Sequence, residues 1–155
     1  MKKWLWCLGI IAAIAALSVN SSAGQDIGKL QPVQTVCLTR QNGVVILRTD
    51  TGDAGAGETL TAAVENMRSA AVGEIFLETA DYLLLAPGCQ DLLPEAMDLL
   101  RPSCGLCLME GEPDMEKLGQ FLQLHAPDAT LMRYRTGLCS LQTLKTEDGR
   151  MTLAA

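Results

Sequence analysis

The residues best suited to chemistry in this chain are two cysteines separated by two positions, Cys104 and Cys107. A redox-active dithiol with this spacing lies just before a helix, whose N-terminus lowers the pKa of the first thiol. Here Cys104 comes just before an apolar run, residues 105–109, and Cys107 lies within it. This run predicts a strand. Side chains three positions apart on a strand point to opposite faces, so the sulfur atoms can join only if the backbone bends at Gly105. A dithiol redox site is therefore an alternative to two buried, small side chains.

A second group of candidate ligands lies in the glycine-rich segment 50–58, DTGDAGAGE. Asp50, Asp53 and Glu58 supply the carboxylate oxygens that calcium prefers, but their spacing does not follow the alternating ligands of a calcium loop. The segment also lacks the Lys-Ser/Thr ending of a phosphate-binding P-loop. We expect a flexible connection from a strand to a helix, with a cation-binding module as the alternative.

The remaining polar residues do not form a catalytic set. The chain has a single histidine, His125, and no Gly-x-Ser-x-Gly motif, so a hydrolytic triad lacks its components. Structural zinc sites usually take two close ligand pairs, and only one close pair of cysteines is present. Acidic residues between 110 and 116 precede a predicted helix, where they complement its dipole. The sequence therefore predicts no catalytic residue, no metal ion and no cofactor.

The N-terminal region has the pattern of a secretory leader. Lys2 and Lys3 are followed by residues 4–19, which carry no charge, and small side chains stand at Ser21 and Ala23. A basic start, an apolar core and small residues at these places are typical of a signal peptide, with cleavage after Ala23. The pattern predicts export.

Two alternatives to a cleaved leader stay open. Residues 4–19 fall just short of the ~17–25 apolar residues of a spanning helix, so an uncleaved membrane anchor is the closer alternative. A buried N-terminal helix is the other. We assign residues 1–23 to a signal peptide or anchor, residues 24–32 to a linker and residues 33–155 to one α/β domain.

Composition argues against nucleic-acid binding. Without Lys2 and Lys3, ten basic residues stand against eighteen acidic ones in residues 24–155, a formal net charge of −8. Such a surface repels phosphate backbones, and no basic stripe offsets it. An odd number of cysteines also remains after the leader, which does not indicate a disulfide framework but leaves one pair possible. These five are Cys37, Cys89, Cys104, Cys107 and Cys139.

The elements that must position these residues alternate between strands and helices. Predicted strands cover residues 33–40, 44–49, 81–85 and 105–109, and predicted helices cover residues 59–71, 92–100 and 113–125. Asn42 and Gly43 predict a tight hairpin between the first two strands. A terminal hairpin is expected from residues 141–146 and 151–155. The fold class is α/β: a mixed sheet in the order ββαβαβα with a C-terminal β-hairpin, and helices packed on the sheet.

Residues 57–67, GETLTAAVENM, resemble a helix of a known family. The pattern Gly-x-Thr-x-x-x-Ala-x-x-x-Leu occurs in the N-terminal domain of the spore germinant-receptor C-subunit lipoproteins, the Ger(x)C family, and the order of elements over about residues 33–125 is similar. Those lipoproteins carry a lipidated cysteine at the end of the leader, whereas Cys7 lies near the start of this one. The resemblance implies a non-enzymatic partner of membrane proteins in endospore-forming bacteria and carries over no site residue.

We therefore expect an exported, non-catalytic interaction or structural protein, linked to sporulation or spore germination at the membrane. Its partner is expected to be a protein of the membrane or cell surface. The chain would be secreted or anchored by its N-terminal segment, and residues 4–19 would contact the membrane if the leader is retained. The alternatives are an extracytoplasmic dithiol redox protein that uses Cys104 and Cys107, and a cation-binding module at Asp50, Asp53 and Glu58.

Overall fold

The structure, a computed structural model, describes residues 30–154, so the predicted signal peptide or anchor lies outside the described part. The strands are β1 (Leu30–Pro32), β2 (Thr35–Gln41), β3 (Val44–Thr49), β4 (Ala54–Gly57), β5 (Glu74–Phe76), β6 (Tyr82–Leu85), β7 (Gly105–Glu110), β8 (Gln142–Glu147) and β9 (Arg150–Ala154). The α-helices are α1 (Leu60–Ala70), α2 (Leu93–Leu99), α3 (Met115–Leu124) and α4 (Leu131–Arg135). Short 3-10 helices cover Leu77–Thr79 and Gln90–Leu92.

Within residues 30–154, seven strands form one mixed sheet in the order β4-β3-β2-β6-β7-β8-β9. Strands β2, β6, β7 and β8 are parallel, while β3 and β4 at one end and β9 at the other are antiparallel to their neighbours. Strands β1 and β5 form a separate parallel pair. This confirms the predicted α/β class and the C-terminal hairpin, here β8 and β9.

Alternation along the parallel strands feeds two separate cores. Face A of the sheet carries Leu38, Leu83 and Leu106, and it packs against α1, α2 and α4. Face B carries the intervening side chains, such as Leu84, and packs against α3. The central strands are thus covered on both faces, which is why they read in sequence as continuous apolar runs.

The hairpin and the caps follow the local sequence. Asn42 and Gly43 join β2 and β3 with φ values of 51° and 82°, the positive values that this turn requires. The side chain of Thr59 accepts a hydrogen bond from the amide of Ala62 and caps α1. Asp114 caps α3 in the same way through the amide of Glu116. The hairpin was predicted from residue type, and the two capped helices begin close to the predicted starts.

The glycine-rich segment corrects the sequence interpretation, because its second half is the strand β4 and not a flexible connection. A Cβ atom on Gly55 would lie 2.6 Å from Cβ of Met67, and one on Gly57 would lie 2.7 Å from Cβ of Ala62. The two glycines therefore let α1 rest directly on β4. Pairing with β3 and close packing against α1, which the residue types within the segment do not reveal, make this segment a strand.

Three further elements differ from the expectation. Residues 30–32 of the predicted linker form β1, which pairs with β5. Helix α4 lies in a segment that was given no structure; Thr130 caps it, accepting a hydrogen bond from the amide of Arg133. The predicted helix 92–100 is preceded by a 3-10 helix, in which Asp91 forms an ion pair with Arg40 at 2.8 Å. Among residues 30–154, none of the helices has both the length and the apolar character needed to cross a bilayer.

Candidate functional site

The chain leaves two neighbouring parallel strands toward opposite faces of the sheet. After β6 it continues to α2 on face A, and after β7 it continues to α3 on face B. In open α/β sheets, ligands bind in the crevice that opens at the carboxyl ends of such strands. A candidate site is therefore expected at this edge of the sheet, hereafter the carboxyl edge.

A groove of about 220 Å³ opens on face B at the carboxyl edge. One wall is formed by β2 and β3, and the other by the end of β7, the β7–α3 loop and the start of α3. The lining residues are Cys37, Thr39, Gln41, Arg48, Met109, Gly111, Glu112, Pro113 and Met115. Cys37 is buried, and its sulfur atom lies 3.6 Å from that of Met115. The inner end of the groove is thus apolar and contains these two sulfur atoms, and its rim is polar.

The groove exists because α3 covers only part of face B. Its buried side chains Leu118 and Leu122 pack with the face B residues of β2, β6, β7 and β8. In the register of β2 with β3, Thr39 lies opposite Ile46 and Gln41 lies opposite Val44, so these four side chains share face B. None of them belongs to the core under α3. This end of the sheet is therefore left open beside the helix.

Charged residues of both signs surround the groove. Arg48 on β3 forms an ion pair with Glu112 of the β7–α3 loop at 2.5 Å, and both side chains are exposed. A hydrogen bond from Lys117 holds the pKa of the Asp114 carboxyl below its ordinary value. Glu116 in the first turn of α3 has no ion pair among residues 30–154. The loop side of the groove is thus acidic, with Arg48 facing it.

The two cysteines of the redox hypothesis lie on different sides of the sheet. Cys104 belongs to the core on face A and Cys107 to the core on face B, and both are buried and unpaired. Burial raises the pKa of each thiol to about 12. Because the thiolate is the reactive form, these positions do not support dithiol exchange at neutral pH.

The carboxylates of the cation hypothesis are used separately. Asp50 accepts hydrogen bonds from the amides of Gln34 and Thr35, both at 3.1 Å, and so tethers the start of β2. Asp53 accepts a hydrogen bond from the hydroxyl of Thr51 at 2.8 Å. In the part of the chain that the structure describes, no group of three or more acidic, histidine or cysteine side chains is placed to hold a metal ion. Asp50, Asp53 and Glu58 are not brought together.

His125 stands at the end of α3, as expected for a residue near a helix C-terminus. Its amide donates a hydrogen bond to the carbonyl of Phe121, and the two rings lie 4.8 Å apart. The groove residues were not singled out from sequence. One signal was available, because Thr39, Arg40 and Gln41 form a polar end to β2 and Arg48 follows four apolar residues of β3.

Comparison of the chain with models of protein families, with curated proteins and with solved structures found no match.

Proposed function

We propose that the protein is an exported, non-catalytic interaction module that holds a basic segment of a protein partner in the groove on face B. The observation that carries the proposal is the open end of the sheet beside α3, where polar side chains are exposed at the carboxyl edge. Export to an extracytoplasmic location is supported by the leader pattern of residues 1–23.

The size of the groove favours a partner's side chain over a small-molecule substrate. Pockets for small molecules usually enclose about 300–1,000 Å³, and this groove measures about 220 Å³. Its lining holds one thiol, and burial raises the pKa of Cys37 to about 12, which keeps that thiol protonated at neutral pH. The lining therefore supplies contact surface and hydrogen-bonding groups, with no activated nucleophile.

Charge favours a basic partner. Residues 24–155 carry a formal net charge of −8, which attracts cationic surfaces at long range. The ion pair between Arg48 and Glu112 is exposed, and exposed pairs contribute only about 0–1 kcal/mol. An arginine or lysine of the partner can therefore replace Arg48 at the Glu112 carboxylate with little loss.

Site-specific photocrosslinking in the producing cells tests this proposal. With a photoreactive residue at Gln41, we expect one discrete adduct with a protein, and no such adduct from Thr61 on the exposed side of α1. Glu112→Lys should lower the yield of the adduct at least about tenfold, because a charge-assisted hydrogen bond is lost and a repulsion is added. Glu65→Lys, the same charge change on α1, is the matched control and should leave the yield unchanged.

Two results would contradict the proposal. Adducts of equal yield from Gln41 and Thr61 would show that contact is not confined to the groove. An adduct from Gln41 that persists in Glu112→Lys would show that the partner is not held through a basic group.

We propose a sporulation or germination setting on the resemblance of about residues 33–125 to the Ger(x)C family, which includes the helix pattern of residues 57–67. Mass spectrometry of the Gln41 adduct tests it, because the resemblance implies a membrane protein of the germination apparatus. A partner present in equal amount in cells that do not sporulate would count against this setting.

A further inference from the structure

The edge of the sheet opposite the groove carries most of the exposed large apolar side chains of residues 30–154. We call it the amino edge; it lies where the parallel strands begin, at the level of Thr35, Tyr82 and Gly105, which stand side by side in the register. Four of the five exposed large apolar residues lie at this edge: Val72 (99% exposed), Leu124 (75%), Met132 (45%) and Leu138 (71%). The fifth, Val44, is 37% exposed and lies at the carboxyl edge.

Chain direction and contacts place these residues at the amino edge. Helices α1 and α3 both start at the carboxyl edge and run down the sheet, so Val72 and Leu124 follow or end them at the amino edge. Gly119 of α3 already lies beside Thr35, where a Cβ atom would be 3.9 Å from the threonine hydroxyl. Helix α4 lies near the start of β7, because the amide of Met132 donates a hydrogen bond to the carbonyl of Pro102 at 3.0 Å.

The same edge has cations without an acidic partner. Arg133 and Arg135 of α4 are exposed and form no ion pair among residues 30–154; one donates to the carbonyl of Asp128 and the other to the sulfur of Met132. Three of the nearby acidic residues are already engaged, whereas Asp98 and Asp128 are exposed and form no ion pair among residues 30–154. The pairs are Asp81 with Arg101 and Glu78 with Arg68, and Asp50 accepts from two backbone amides. Arg133 and Arg135 are therefore exposed cations that no ion pair within residues 30–154 neutralises.

The chain that precedes the described residues also joins at this edge. Strand β1 begins at Leu30 and pairs with β5, which follows Val72 directly along the chain. Ten residues, 20–29, separate it from the apolar segment 4–19. Ten residues span at most about 33–36 Å. If residues 4–19 lie in a bilayer, the amino edge is the part of the domain closest to it.

We infer that the amino edge docks on a phospholipid bilayer with anionic headgroups, through the exposed apolar side chains and the two arginines of α4. The inference rests on the proposed export with retention of residues 4–19. Apolar side chains of this kind enter the headgroup boundary, and arginines next to them bind lipid phosphates. In this orientation the groove on face B faces away from the membrane and is open to a protein partner.

Tryptophan quenching in vesicles tests the inference on the full chain. Both native tryptophans, Trp4 and Trp6, lie in the leader, so Trp4→Phe and Trp6→Phe together give a dark background. In phosphatidylglycerol vesicles with brominated acyl chains, we expect strong quenching for Leu138→Trp and none for the matched reporter Val44→Trp. Arg133→Gln and Arg135→Gln should each reduce the docking equilibrium about fivefold, and Arg150→Gln, the control on β9, should not.

Three results would overturn the inference. The first is equal quenching of the two reporters, or quenching of neither, in a chain that sediments with the vesicles. If neither reporter is quenched, the amino edge does not contact lipid and would instead be a surface for a protein. The second is equal docking on purely zwitterionic vesicles, which would show that the amino edge does not recognise anionic headgroups. The third is a full chain that does not sediment with vesicles, which would show that residues 4–19 do not anchor the chain in a bilayer. The photocrosslinked adduct at Gln41 forms at the carboxyl edge. Failure to obtain that adduct would contradict the proposed function but would not change the quenching measured at the amino edge.

Discussion

At the scale of single residues, the close approach of β4 and α1 depends on positions that lack a side chain. Gly55 faces α1, and the amide side chain of Asn66 on that helix donates to the carbonyl of Ala56 at 2.7 Å. Strand β4 is the outermost strand at one side of the sheet, and unpaired carbonyls on an outermost strand can pair with other chains. The helix thus both buries the strand and occupies one of its open acceptors.

Gly55→Ala is predicted to destabilise the domain by about 1–3 kcal/mol or more, the usual cost of overpacking. The added Cβ atom would lie 2.6 Å from Cβ of Met67 and still closer to the carbonyl oxygen of Ala63, and backbone cannot move aside cheaply. Urea denaturation followed by circular dichroism measures the change. The control is Ala56→Val, a larger change in the same strand at an exposed position, which should cost less than Gly55→Ala. Equal losses would show that β4 does not bear against α1 as described.

At the scale of elements, α3 is the helix that decides how much of face B is covered. Its buried residues Leu118 and Leu122 lie on one side, and Gly119 lies beside the start of β2. A Cβ atom on Gly119 would lie 3.3 Å from the side-chain oxygen of Gln34, whose exposed amide can move. This contact is tight, but a small shift of the Gln34 side chain relieves it, whereas backbone atoms block a Cβ atom at Gly55.

Gly119→Ala is accordingly predicted to stabilise the domain by about 0.5–1 kcal/mol. Glycine is that much worse than alanine inside a helix, largely because it loses more backbone freedom on folding. The same denaturation experiment measures the gain. The paired variant Gln34→Ala with Gly119→Ala removes the only side-chain atom within 3.4 Å of the new Cβ among the described residues. Destabilisation that persists in the pair would show that α3 lies closer to the sheet than described.

Elements with a strong local pattern were predictable from sequence, and elements that depend on contacts with other elements were not. Strands β2 and β3 with their Asn-Gly turn, and helices α1 and α3 with their caps, follow from periodicity and residue type. Strand β4 reads Ala-Gly-Ala-Gly, which has neither periodicity nor β propensity. Helix α4 has five residues and depends on amide contacts such as that of Leu131 with the carbonyl of Cys104 at 3.0 Å.

The candidate site was less predictable than the fold, because its walls come from separate parts of the chain. Arg48 and Glu112 are sixty-four positions apart and meet only after β2, β6 and β7 have paired in register. The clusters that are dense in sequence turned out to serve the framework. Cys104 and Cys107 fill opposite cores, and Asp50 holds the start of β2.

At the scale of the whole molecule, the buried thiols make stability fall at alkaline pH. Burial raises the pKa of Cys37, Cys104 and Cys107 from the ordinary value of 9.0 to about 12 in the folded chain. Below pH 9 both states hold these protons, and the contribution is constant. Between pH 9 and pH 12 the unfolded chain loses them first, so the free energy of unfolding should fall by up to about 1.4 kcal/mol per thiol and pH unit.

Urea denaturation at several values between pH 8 and pH 11 checks this dependence, and Cys107→Ala should make the decline less steep. Leu122→Ala, at another buried position of the core on face B, is the control. It should lower stability at every pH and leave the steepness unchanged. A decline that is the same with and without Cys107 would mean that the thiols do not cause it.

The five unpaired cysteines among residues 30–154 have a consequence for how long the protein would last in the proposed extracytoplasmic setting. Four of them are buried, so an oxidising medium reaches them only when the sheet opens. An opened molecule can then form mispaired disulfides faster than it closes, and that event cannot be reversed by refolding alone. In the extracytoplasmic setting proposed for it, the working lifetime of this domain is therefore set by how fast it unfolds, and the midpoint of a melting curve describes it poorly.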